Sequence, residues 1–190
     1  NNNGKNFSND VGLAGETSWQ GTKTTKAIID FVKSKGFKSV RIPCNWVCGH
    51  ISDASTCTID ATWMARVKEI VDYCISDGLY VVLNDHYDGG WVEKSFDDIS
   101  DAAITKNSAT MKLIWTQIAN EFKDYDEHLL FAGLNEPDVS NQKQTDALLK
   151  YEQAFVDAVR ATGGNNETRT LIVQGPSTDI DKTVNYFSSM

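Results

Sequence analysis

Residues 61–88 read Ala61-Thr62-Trp63-Met64-Ala65-Arg66-Val67-Lys68-Glu69-Ile70-Val71-Asp72-Tyr73-Cys74-Ile75-Ser76-Asp77-Gly78-Leu79-Tyr80-Val81-Val82-Leu83-Asn84-Asp85-His86-Tyr87-Asp88. Met64, Val67, Ile70, Val71 and Cys74 recur at helical spacing between about Ala61 and Ser76, and Gly78 ends the pattern. The five residues Leu79–Leu83 are then near-continuously apolar, as expected of a strand covered on both faces. A helix that delivers the chain straight into such a strand is the repeating unit of a parallel sheet.

The same unit recurs on either side. Upstream, Thr24-Thr25 can cap a short helix carrying Ile28, Ile29 and Val32, which stops at Gly36 and leads into a strand over residues 37–43. Downstream, a helix over residues 108–125 precedes a strand at 129–134, and a helix over 144–162 precedes a strand at 170–174. Residues 179–187 begin one more helix. This alternation leaves two architectures open, a doubly wound open sheet or a (β/α)8 TIM barrel. Strand centres lie about 40 to 50 residues apart, so eight units need more than about 250 residues. Four parallel strands alone would also leave apolar edges exposed.

The chain has 190 residues, with 18 Lys+Arg against 26 Asp+Glu for a net charge of −8. With no basic run, nucleic acid is an unsuitable partner. No stretch approaches the roughly 18 to 20 apolar residues of a membrane span, and Asn1–Asn6 lacks the apolar core of a signal peptide. The four cysteines form no Cys-x-x-Cys pair. Cys48 and Cys57 bracket a polar loop and either bridge in an oxidising compartment or remain thiols. No Gly-x-Gly-x-x-Gly turn follows any strand, so no nucleotide cofactor is indicated.

In both architectures function collects at the C-terminal ends of strands. Those ends carry Arg41 and Trp46; His86, Tyr87 and Trp91; Asn135 and Glu136; and Gln174 to Ser177. A carboxyl group held among aromatics is a natural proton donor, and Trp46 and Trp91, if exposed, offer flat apolar faces to sugar rings. Together they indicate a carbohydrate site. Asp85, His86 and Asp88 form a weaker metal-like grouping, because adjacent strand residues face opposite ways.

Leu134-Asn135-Glu136-Pro137 resembles the acid/base segment of glycoside hydrolase family 5, the retaining β-1,4-glucanases built on a (β/α)8 barrel. Glu16-Thr17-Ser18-Trp19, Gly36–Pro43, Gly78–Asn84 with His86, and Trp115–Lys123 resemble successive segments of the same family. The resemblance implies that Glu136 is the general acid/base and that Asn135 binds the sugar 2-hydroxyl. Arg41 would hold the nucleophile ionised, and His86 would line the same subsite. Trp46 and Trp91 would be stacking platforms, with Trp19 and Tyr87 as weaker candidates. No metal and no other cofactor is implied.

The matching segments correspond to family strands two to five, without strand one and without the nucleophilic glutamate. Residues 1–190 are therefore expected to be a single, incomplete catalytic domain, roughly the first half of the barrel, whose partners are β-glucan and the remainder of the barrel. Glu93 and Asp88 are poor substitutes for the nucleophile. Xyloglucanase, mannanase and a non-catalytic carbohydrate-binding half-barrel are the alternatives. A polymeric substrate implies a secreted or cell-surface location.

Overall fold

The computed structural model describes residues 12–17 and 21–187. Along the chain lie α1 (Lys26–Ser34), β1 (Ser39–Cys44), a hairpin of β2 (Ile51–Asp53) and β3 (Thr58–Ile59), and α2 (Ala61–Ser76). They are followed by β4 (Tyr80–Asp85), α3 (Asp101–Glu121), β5 (Leu129–Ala132), α4 (Gln142–Ala161), β6 (Leu171–Ile172) and α5 (Ile180–Tyr186). All four expected strands are present. The hairpin was not legible in the sequence, and α3 starts seven residues earlier than its apolar spacing suggests because Ser100 caps it, accepting from the Ala103 amide.

The main sheet is parallel, in the order β1-β4-β5-β6. Strand order thus follows chain order with no reversal. A doubly wound sheet reverses at its switch point, whereas a barrel winds one way only, so this is a stretch of barrel wall. Successive crossovers of one hand place the helices on one face. The burial of β1 agrees: Ile42 and Cys44 are buried, whereas Ser39, Arg41 and Pro43 on the opposite face are exposed. Pro43 is tolerated inside β1 because that strand has only one sheet neighbour among the described residues.

The helix-facing side is closely packed. Trp115 of α3 lies 5.5 Å from Phe131 of β5 and 4.6 Å from Phe155 of α4, ring centre to ring centre. Arg169, buried, donates to the main-chain carbonyls of Phe122, Tyr125, Asp126 and Leu129 and lies over the Phe131 ring, fixing where β5 begins. At the two outer strands the surface is apolar: Ile28, Phe31 and Phe37 are exposed beside β1, and Ile180 and Val184 beyond β6.

Where β5 ends, Gly133 passes so close to α4 that a Cβ would stand 2.7 Å from both Glu152 Oε2 and the Phe155 ring. Glu152 is fully buried and accepts the Gln174 amide at 2.9 Å. Burial pushes its carboxyl up to about 8, against the pull of that amide. Between the ordinary glutamate value of 4.5 and about 8 the folded protein keeps a proton that the unfolded chain has released. Stability is therefore lost as pH rises through that window. Glu152→Gln is expected to stabilise the protein more at pH 8 than at pH 5 in denaturant titrations; an equal effect at both would show that Glu152 is not held protonated.

Candidate active site

The four strand ends meet on the face away from the helices. Arg41, on β1, is exposed and donates from Nη2 to Asn135 Oδ1 at 2.6 Å, tying the first strand to the end of the third. His86 follows β4, and its amide donates to the Cys44 carbonyl at 2.8 Å. Burial lowers the His86 imidazole below its ordinary value; the Arg41 charge acts the same way and that of Glu136 opposes them. His86 is thus a neutral ring within electrostatic reach of both, and its buried Nδ1 has no hydrogen-bond partner. Arg41, His86, Asn135 and Glu136 are brought together as the sequence suggested.

The Glu136 side chain is exposed, not shielded among aromatics, because the described residues form one wall of the cleft. A hollow of about 1270 Å³ runs beside this wall, lined by Arg41, His86, Tyr87 and Lys94 and by apolar residues of α1, β1 and α2.

Trp46 requires correction. It is completely buried and cannot stack on a ligand. The cause lies in Asp88, whose buried carboxylate accepts the amides of Val47 and Cys48, both at 2.7 Å, and draws the loop after β1 inward. Trp91 is half-buried and packs against the core, while Tyr87 is exposed and lines the hollow. Trp19 lies outside the described residues. Cys44, Cys48, Cys57 and Cys74 carry no disulfide.

The loop after β4 is unusual in its backbone. Tyr87, Asp88, Gly89 and Gly90 all have positive φ, at 59°, 46°, 69° and 78°. Two glycines make half of this run inexpensive, but Tyr87 and Asp88 are strained. Tyr87 centres a γ-turn closed by the Asp88 amide on the His86 carbonyl at 2.6 Å. Gly89 is needed for space as well, since a Cβ there would meet Cys48 Sγ at 2.3 Å.

Two residues to which the sequence assigned no catalytic or binding role stitch the loops together. Glu93, buried, accepts through Oε1 from the amides of Asn135 at 2.8 Å, Glu136 at 2.9 Å and Tyr87 at 3.3 Å. Ser177, after β6, donates its amide to the Pro137 carbonyl and its hydroxyl to the Val139 carbonyl, both at 2.8 Å. Glu93 and Asp88 are therefore engaged with backbone amides, which removes both as surrogate nucleophiles. Ahead of β1, Glu16 makes a two-pronged ion pair with buried Arg66 at 2.8 Å, anchoring the short turn Gly12–Thr17 to α2.

The sequence model of cellulase, glycosyl hydrolase family 5, matches residues 1–187. The chain belongs to glycosyl hydrolase family 5. Endoglucanase A of Ruminococcus albus is 43% identical over 171 residues, covering 85% of this chain and 45% of that protein. Among solved structures, a family 5 xyloglucan-specific β-1,4-glucanase from a ruminal metagenomic library, in complex with XXLG, is 56% identical with a TM-score of 0.88. The match covers 97% of this chain and 51% of that one. A broad-specificity endoglucanase from Ruminococcus champanellensis with bound cellotriose is 38% identical with a TM-score of 0.86, covering 96% and 54%. The chain thus spans about half the length of the relatives it matches. The winding seen here is that of the family's (β/α)8 barrel.

Asp88→Ala is expected to leave the amides of Val47 and Cys48 without acceptors and to destabilise the fold by about 2–6 kcal/mol, at about 1–3 kcal/mol for each of the two orphaned groups. Trp46 should become exposed. Thermal unfolding and tryptophan fluorescence check this; an unchanged emission maximum would show that Asp88 does not hold the ring inside.

Proposed function

We propose that this family 5 chain is part of a retaining endo-β-1,4-glucanase in which Glu136 is the general acid/base. The observation that carries the reading is the bond from Arg41 to Asn135, which sets the neighbouring Glu136 and the neutral His86 on one wall at the C-terminal ends of the strands. Glu136 donates its proton to the glycosidic oxygen as the C1–O bond breaks and the electron pair leaves with that oxygen. It then takes a proton from the water that releases the sugar. The covalent partner in this double displacement is a carboxylate about 5 to 5.5 Å from the acid, supplied by the remainder of the barrel.

Asn135 binds the sugar 2-hydroxyl while Arg41 orients it, and His86 lines the same subsite. Tyr87 and the outer part of Trp91 are the aromatic surfaces available to sugar rings. The exposed apolar margins beside β1 and beyond β6 suit the remaining barrel elements. Cellulose-like β-glucan is the proposed substrate, acted on outside the cell because such polymers are too large to enter. A xyloglucan-directed activity is the second reading, favoured by the 56% identity to the xyloglucanase bound to XXLG.

In the intact enzyme, Glu136→Ala is expected to lower turnover of β-glucan by roughly 10²- to 10⁴-fold, the usual contribution of a positioned acid/base. Binding of cello-oligosaccharides, measured by calorimetry, should persist. Undiminished turnover would overturn the assignment, and parallel assays on xyloglucan and carboxymethylcellulose separate the two substrate readings.

A further inference from the structure

The carboxyl group of Glu136 has no hydrogen bond or ion pair among the described residues, so its place is set by its backbone alone. That backbone is held with unusual completeness. The amide of Gly133 donates to the Ile172 carbonyl at 3.2 Å and that of Leu134 to Gln174 Oε1 at 3.1 Å. Those of Asn135 and Glu136 both go to Glu93 Oε1, at 2.8 and 2.9 Å. On the far side of Pro137, the Asp138 amide donates to the Glu93 carbonyl at 2.9 Å. Glu93 therefore grips the segment on both sides of the Glu136 side chain. The same Oε1 accepts the Tyr87 amide at 3.3 Å, holding the strained turn that follows His86. Glu93 is only 3% exposed and has no cationic partner among the described residues. Its polar contacts are these amides.

We propose that Glu93 is a positioning residue for the reaction: its carboxylate locks the backbone that presents Glu136 to the loop that presents His86 and Tyr87, so that proton donor and sugar-binding loop keep a fixed separation. This rests on Glu136 being the acid/base. It differs from a merely stabilising role in one respect. An error in the placement of the donor slows formation of the glycosyl-enzyme only where the leaving group needs a proton, whereas the later release of the sugar, in which Glu136 is the base, slows for every substrate.

The test uses the intact enzyme, with Glu93→Asp, Glu93→Gln and Glu136→Ala compared on two substrates. Cleavage of β-glucan expels the hydroxyl oxygen of the departing sugar chain, a poor alkoxide that needs protonation; 2,4-dinitrophenyl β-cellobioside releases a phenolate that does not, and its burst reports formation of the glycosyl-enzyme. Glu93→Asp draws the acceptor back by one methylene. It is expected to lower kcat on β-glucan on the order of 100-fold, the scale of an ångström's misplacement, with KM little changed and the dinitrophenolate burst rate intact. Glu93→Gln keeps an acceptor oxygen at the original reach and should recover most of that loss.

Parental kcat on β-glucan in Glu93→Asp would overturn the proposal, as would a dinitrophenolate burst slowed as much as the turnover of β-glucan. Failure of Glu93→Gln to recover turnover would place the effect in the charge and not in the amide bonds, and would also overturn it. Glu136→Ala separates the two readings. If that variant remains active the acid/base assignment has failed; if it loses turnover on β-glucan while Glu93→Asp stays parental, only the role of Glu93 has.

Discussion

Every strand of a parallel sheet that stops beneath a loop leaves its next backbone amides without a ladder partner, and buried amides must find acceptors elsewhere. In this chain that constraint is met largely by buried side chains. Asp88 takes the amides that follow β1, Glu93 and Gln174 those that follow β5, and Glu152 the amide of Gln174 after β6. The polar loops of the cleft therefore sit on a set of inward-facing acceptors between the strand ends and the helices. The candidate site residues project outward from backbone whose position those acceptors determine.

The arrangement has an electrostatic cost, because carboxylates within a low-dielectric layer repel one another and resist ionisation. Asp85, at the end of β4, is buried with neither oxygen hydrogen-bonded. Burial and the nearby charges of Asp88 and Glu93 hold its carboxyl well above the ordinary aspartate range. Burial raises the carboxyls of Asp88 and Glu93 as well, but each accepts backbone amides that pull it back down, a compensation Asp85 lacks. The left-handed run from Tyr87 to Gly90 carries a similar cost in backbone strain, and it lies where Glu93 and Asp88 both hold the chain. Strain and buried charge thus concentrate at the loop next to the candidate active site, as expected where geometry is maintained for function and not for stability.

Much of this was legible in the sequence because it depends on local periodicity. The four strands and the helix before each follow from apolar spacing and glycine stops, whereas their order in the sheet was left open by that pattern, and residues at strand ends could be named as candidates without knowing what they touch. Trp46 shows the limit. An aromatic after a strand end reads alike whether it faces solvent or core, and what turns it inward is a carboxylate 42 residues later in the chain. Glu93 shows the converse. Nothing in Trp91-Val92-Glu93 distinguishes a buried amide acceptor from a surface charge, and its role emerges only when two loops more than 40 residues apart are brought together. Residues that act through the backbones of others leave no motif.

The charge on the cleft wall carries one further step. Arg41 is exposed on the inner face and bonds a neutral amide, and no carboxylate among the described residues forms an ion pair with it. His86 beside it is kept neutral. This wall therefore presents one uncompensated cation within reach of the acid/base candidate. A cation favours the ionised form of a neighbouring carboxyl group, which suits a nucleophile that must attack as the anion and does not suit a group that must deliver a proton. In the proposed double displacement the two roles belong to different carboxyl groups, and the unmatched charge of Arg41 is then best understood as serving the one that Glu136 is not.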